Sequence, residues 1–232
     1  MNNVISEIVR LPINWHPLGG FDQRTAEAIV RICADRDISE SVETGAGKST
    51  LLFSHLSRHH TVFALNEGDS LTMPLNSPLL RKEGVTVVEG PSQHTLPKHQ
   101  FKRLQLALID GPHAYPFPEL EYYYIYPHLD PGAVLIIDDI DIPTINNMYR
   151  ILRVDRMYRE IAVVGKAAFL ERTELPLLDP ISGWWALQDY NKKKRVVDHS
   201  MSAYVRRAAH AIRRSTPAPI RKIGRTFFNQ HI

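Results

Sequence analysis

Val42-Glu-Thr-Gly-Ala-Gly-Lys-Ser-Thr50 decides how the rest of the chain is read. A short strand expected over 41–45 runs into a glycine turn. The turn opens a helix expected over 48–58, with Leu51, Leu52, His55 and Leu56 on one side. A strand, a glycine loop and a helix start let backbone amides approach a ligand closely.

Outward from that stretch, strands and helices alternate. Strands are expected over 61–65, 85–88, 104–109 and 133–137, then a closing pair over 160–164 and 167–170. Helices are expected over 23–37, 118–128 and 143–154. This alternation predicts an α/β fold: a Rossmann-like, doubly wound, seven-stranded, mostly parallel sheet with helices on both faces. The apolar runs suit strands buried on both sides. Residues 1–22 read as a turn-rich lead-in, 23–190 as the domain and 191–232 as a basic helical tail. Ligands in such sheets bind beyond the carboxyl ends of the strands. That places Glu43 to Gly47, Asn66 and Glu67, Glu89 to Ser92, Asp110 to Tyr115, and Asp138 and Asp139 within reach of a ligand.

Composition narrows the function classes. A chain of 232 residues, 44% hydrophobic and 23% charged, is one globular domain with appendages rather than a disordered or coiled-coil protein. The longest clean apolar run, Ala133-Val-Leu-Ile-Ile137, falls far short of the about 20 residues a membrane-spanning helix needs. The first residues lack the basic start and apolar core of a signal peptide, so a reducing cytoplasm is the expected compartment. The single cysteine, Cys33, has no internal partner and reads as a small buried hydrophobe. Charge is split: 11 of the 28 Lys and Arg residues lie in 192–232 against one acid, Asp198, so an acidic body carries a basic tail.

The glycine stretch admits two readings. Gly47-Lys48-Ser49 resembles the end of a Walker A loop, but Val42 stands where that loop has its opening glycine. Glu43-x-Gly45-x-Gly47 resembles the first motif of the class I S-adenosylmethionine methyltransferases. Further on stand Leu108-Ile-Asp-Gly-Pro-His-Ala-Tyr115 and Leu129-Asp-Pro-Gly-Ala-Val-Leu-Ile-Ile-Asp-Asp-Ile140, which place Asp110, Asp138 and Asp139 at the ends of neighbouring strands. Three carboxylates in one place repel one another unless a hard cation such as Mg²⁺ joins them. Asp-Gly-x-His-x-Tyr, Glu121, the Leu-x-Pro-Gly turn and Ile-Asp-Asp resemble the metal-dependent small-molecule O-methyltransferases of the macrocin and novobiocin sugar type, and more distantly the catechol type.

That resemblance covers about 43–140 and implies a set of roles. S-adenosylmethionine would be held by Glu43, Thr44, Gly45, Gly47, Ser49, Asn66 or Glu67 at the ribose, Ser92 and Asp110. Mg²⁺ would be held by Asp110, Asp138 and Asp139. His113 stands where the catechol type has a lysine base, and it or Asp110 would take the proton of the acceptor. The activity implied is O-methylation of a small hydroxylated substrate such as a sugar. Two other readings stay open: a methyltransferase-like domain with another chemistry, and a nucleic-acid or anionic-membrane binder acting through the tail. For the tail, Arg206, Arg207, Arg213 and Arg214 recur at helical spacing. That face suits lipid at the membrane periphery, or a subunit contact in a homo-oligomer. The aromatic stretch 183–190 suits packing against the domain or a substrate wall.

Overall fold

The computed structural model describes residues 3–177, 186 and 188–192. The tail helix expected near 201–214, the basic run 193–195 and residues 183–185 and 187 of the aromatic stretch lie outside the described residues. The chain separates into two compact units, Met1–Tyr190 and Asn191–Ile232.

Seven strands make one sheet: β1 (Glu40–Thr44), β2 (His59–Ala64), β3 (Val85–Glu89), β4 (Leu104–Ile109), β5 (Leu129–Ile137), β6 (Tyr158–Val164) and β7 (Ala167–Arg172). Their order is β3-β2-β1-β4-β5-β7-β6. The first five are parallel, and β7 runs antiparallel to both β5 and β6. The expected doubly wound, mostly parallel sheet is therefore what forms. From β1 the chain moves outward through β2 and β3, then returns to lay β4 on the other side of β1. That reversal opens a crevice beyond the ends of β1 and β4, the place where open α/β sheets bind ligands.

The strand alternation sends side chains into two apolar layers. Leu106 and Leu108 of β4 join Ile29, Leu51, Leu52 and Phe53 on one face, from helices α2 (Gln23–Cys33) and α3 (Lys48–Leu56). Ala107 and Ile109 join Ile125, Ile145, Met148 and Leu152 on the other. Those last residues come from α6 (Phe117–Ile125) and α7 (Pro143–Leu152), and two single-turn helices, α4 (Thr72–Leu75) and α5 (Ser92–Thr95), follow β2 and β3. Cys33 is buried, as expected, and burial pushes its thiol up to about 12.

Several boundaries differ from the sequence reading, four of them with a clear local cause. The lead-in contains a helix, α1 (Asn3–Arg10), which buries Ile8 and Val9 and packs on α2 and α3. Val4, Ile5, Ile8 and Val9 are spaced to share one helical face, so the signal was present but short. The helix expected over 23–37 ends at Cys33, where the Arg36 N–H closes a tighter turn onto the Cys33 carbonyl. Helix α6 ends at Ile125, and Tyr126–His128 continues as a 3₁₀ turn containing Pro127. Strand β5 begins at Leu129, not 133: Leu129 pairs with Leu104, and the register shifts before Leu106 meets Val134. Leu129-Asp-Pro-Gly is thus an irregular entry into the strand, bent at Gly132 with φ +82°.

Candidate active site

Gly45 ends β1 with φ +83°, and a Cβ there would overlap the carbonyl oxygen of Asp110. The glycine lets the ends of β1 and β4 close on each other, and Asp110 lands beside the glycine loop. Gly47 differs. Its φ of 171° is extended, and a Cβ would meet only the His16 ring at 3.8 Å. Glu43 points into the interior, buried. Its Oε1 accepts from Thr50 Oγ1 and lies 3.1 Å from His60 Nε2. The Gly47 N–H donates to Thr50 Oγ1 at 3.0 Å, so Glu43 braces the glycine loop through Thr50. Ser49 lies buried in the first turn of α3.

A second carboxylate braces the loop from the other side. Glu121 on α6 is buried, and its Oε2 accepts from Thr44 Oγ1 at 2.7 Å. Thr44 Oγ1 in turn accepts the Asp110 N–H at 3.1 Å. Gly111 passes so close to the Glu121 carboxyl that a side chain there would overlap it. Ser92 Oγ and Glu121 Oε1 are both buried without a hydrogen-bond partner. Burial raises the Glu121 carboxyl to about 7, against the Thr44 hydroxyl bond, which favours the anion. Thr44 thus serves the scaffold with its side chain. Glu121 was visible in the sequence only as part of the resemblance, and its strand-end bracing could not be read from spacing.

Of the two residues at the ribose position, Asn66 is committed elsewhere. Its Oδ1 accepts from the N–H groups of Leu71 and Thr72, and its Nδ2 donates to Thr72 Oγ1. It holds the first N–H groups of α4 and is not a free ligand, although it is exposed. Glu67, next to it, is exposed and makes no such bonds.

The acidic cluster forms at the ends of β4 and β5, but not from the three carboxylates expected. Ligand atoms of Asp110, His113 and Asp139 lie within 4.8 Å of one another; Asp138 is not in that group. His113 Nε2 is 3.2 Å from Asp139 Oδ2 and 3.9 Å from Asp110 Oδ1. Neighbouring residues leaving a strand diverge, so Asp138 and Asp139 do not both face the same point. Asp139 takes φ +52°, a left-handed conformation held by Ile140 N–H to Lys166 O and Ile142 N–H to Asp139 O. Asp138 is buried behind it. Lys166, on the β6–β7 turn, pairs its ammonium with Asp139 Oδ1. Sequence reasoning missed it, because nothing local ties a turn lysine to a strand end 27 residues earlier. Thr144 Oγ1, at the start of α7, donates to the His113 carbonyl at 2.5 Å and fixes that loop.

The charges shift one another. Burial raises Asp110, with Asp139 and Glu43 adding to it and His113 opposing. Burial and the Asp110 charge raise Asp138. The Asp110 carboxylate, then Asp139 and Asp138, hold His113 above its ordinary value. The Asp139 carboxylate does the same to Lys166.

Opposed ligands of a small divalent cation stand about 4.2 Å apart. The 4.8 Å span needs a contraction of only about half an ångström, and two carboxylates with one imidazole are a suitable donor set. The residues therefore fit a divalent cation.

The Walker A reading fails on Lys48. That loop needs a lysine free to meet phosphate, and here Nζ is buried and donates to the carbonyls of Leu11 and Phe21.

A sheet of this order, with a glycine loop after β1 and acids after β4 and β5, is the class I methyltransferase fold. Residues 42–140 match a family described as a methyltransferase domain. Among solved structures, the O-methyltransferase NovP is 20% identical, with 66% of this chain and 81% of NovP covered at a TM-score of 0.52. TomG from Streptomyces achromogenes, solved with S-adenosylmethionine, is 12% identical over 75% of this chain and 91% of its own, TM-score 0.53. MycE, solved with Mg, S-adenosylhomocysteine and mycinamycin VI, is 14% identical over 76% of this chain and 57% of its own, TM-score 0.51. At these identities the likeness is one of fold. No curated protein sequence matches the chain.

Proposed function

We propose that the protein transfers the methyl group of S-adenosylmethionine to a hydroxyl of a small molecule, with a divalent cation held by Asp110, His113 and Asp139. The observation that carries this reading is the convergence of those three side chains beside the glycine loop, at the crevice between β1 and β4. The backbone at Gly45 to Gly47 flanks the cofactor's amino-acid end, and Glu67 faces its ribose. When bound, the cation supplies a Lewis acid that lowers the pKa of the acceptor hydroxyl and orients it. His113 offers the cluster a single atom, Nε2, and serves as a ligand. Asp110 presents Oδ1 to His113, which leaves Oδ2 to accept the acceptor's proton. Glu43 and Glu121 hold the two loops in register from behind, and the rest of the rate comes from positioning. Sugars head the acceptors to be screened, following the sugar-type resemblance.

Calorimetric titration tests the reading. S-adenosylmethionine is expected to bind the folded protein, and Mg²⁺ to give heat that Asp139→Asn abolishes while the cofactor still binds. Folded protein that takes up no cofactor would overturn it. Lys166 adds a sharper expectation. Its ammonium competes with a cation for Asp139, so Lys166→Met should raise divalent-cation affinity several-fold in the same titration. Unchanged affinity would mean that Lys166 leaves Asp139 at no cost.

The basic tail we propose as an address, to an anionic surface or a second copy, separate from turnover. Deleting 199–232 should then leave methyl transfer intact.

A further inference from the structure

Lys48 remains unexplained by this chemistry. It is the first residue of α3 and is buried. An ammonium at a helix N-terminus opposes the helix dipole, and burial adds a desolvation cost that lowers its pKa. What it receives in return is two carbonyls, Leu11 O at 2.6 Å and Phe21 O at 2.9 Å. These are the two ends of one loop, 11–21. A single buried ammonium therefore clasps both stems of that loop to the start of the helix that follows the glycine turn.

Between the stems lies His16, also buried. Its Nε2 lies 2.7 Å from Ser70 O, so Nε2 carries the proton and donates. The Cγ side of the ring lies against Gly47: a Cβ on Gly47 would find His16 Cγ at 3.8 Å, and Cδ2 and Nδ1 each at 3.9 Å. Nδ1 carries no hydrogen bond to any described residue. The imidazole thus spans from the glycine loop to the loop after β2 that carries Glu67. Those are the two loops between which the proposed cofactor lies. The outward side of the strap is apolar and open, with Ile13 54% and Leu18 70% exposed.

We propose that residues 11–21 form the outer wall of the cofactor site, clasped by Lys48, and that His16 Nδ1 is an acceptor for the ammonium of the cofactor's amino-acid end. With Nε2–H given to Ser70, Nδ1 is an acceptor that no described residue occupies. Lys48 is a positioning residue: it touches no cofactor atom and acts by keeping the strap closed. This inference rests on the methyltransferase reading above.

The test uses the full chain and S-adenosylmethionine as probe. Calorimetric Kd is measured for the unsubstituted protein, His16→Ala, His16→Gln and Lys48→Met, with amide hydrogen exchange over 11–21 followed in each. His16→Ala is expected to weaken cofactor binding about tenfold, the loss of one charge-assisted hydrogen bond. His16→Gln, which keeps a donor and an acceptor, should recover part of it. Lys48→Met should speed exchange in 11–21 and weaken binding together. Should the unsubstituted protein bind and His16→Ala bind equally well, the role of His16 is overturned. Faster exchange in Lys48→Met with an unchanged Kd overturns the wall. Folded unsubstituted protein that binds no cofactor overturns the methyltransferase reading, and this inference with it.

Discussion

Replacing Glu121 by glutamine stabilises the fold by about 3 kcal/mol above pH 7 and leaves it unchanged below about pH 4.5. The Glu121 carboxyl is raised from 4.5 to about 7 by desolvation, with the Thr44 bond only partly offsetting it. In the unfolded chain it ionises near 4.5, so between 4.5 and 7 the folded protein holds a proton that the unfolded one has lost. Stability therefore falls as pH rises through that window, and the full deficit is in place above 7. At about 1.4 kcal/mol per pH unit, a separation of about 2.5 units gives about 3 kcal/mol. Glutamine keeps an acceptor for Thr44 Oγ1 and offers a donor to Ser92 Oγ, which has none. Urea unfolding at pH 4, 6 and 8 reads the effect, and the melting temperature at pH 8 should rise by on the order of 6–12 °C. An identical pH slope in the two proteins would show that Glu121 titrates normally.

Glu121 also marks the limit of what the sequence carries. The sheet was legible because each strand is an apolar run bounded by turn residues, and because polar residues such as Asp110 and Asp139 cluster where those runs stop. Gly45 was legible for the same reason. What alternation cannot report is the direction of a side chain that leaves a strand. Asp138 and Asp139 read as a pair, yet one turns inward and the other meets His113 and Lys166. Asn66 and Glu67 likewise read as alternatives, and a three-point cap of α4 separates them. Lys48 looked like phosphate chemistry because its meaning depends on the carbonyls of residues 11 and 21, far away in sequence. Glu43 read as a ligand and lies behind the loop, bonded to Thr50 and His60.

The two glycines of the loop, alike in the sequence, should respond very unequally. Gly45→Ala is expected to cost 3 kcal/mol or more and to abolish cofactor binding, whereas Gly47→Ala should cost less than about 1 kcal/mol. At Gly45 two penalties coincide. The φ of +83° is strained for any residue with a Cβ, on the order of 1–2 kcal/mol. The new methyl would also overlap the Asp110 carbonyl, which is backbone and cannot rotate away. Relief requires β1 and β4 to part, and that moves the Asp110 N–H off Thr44 Oγ1 and the Asp110 carboxylate away from His113 and Asp139. The strain is therefore transmitted to the cluster, not confined to the turn. At Gly47 the backbone is extended, and the methyl makes only an ordinary contact with the His16 ring. Melting temperature and S-adenosylmethionine Kd for both variants check the contrast, with a drop of about 6–12 °C expected for Gly45→Ala alone. Equal losses at the two positions would mean that the loop needs glycine for access to its ligand, and that the close approach of β1 to Asp110 does not limit the fold.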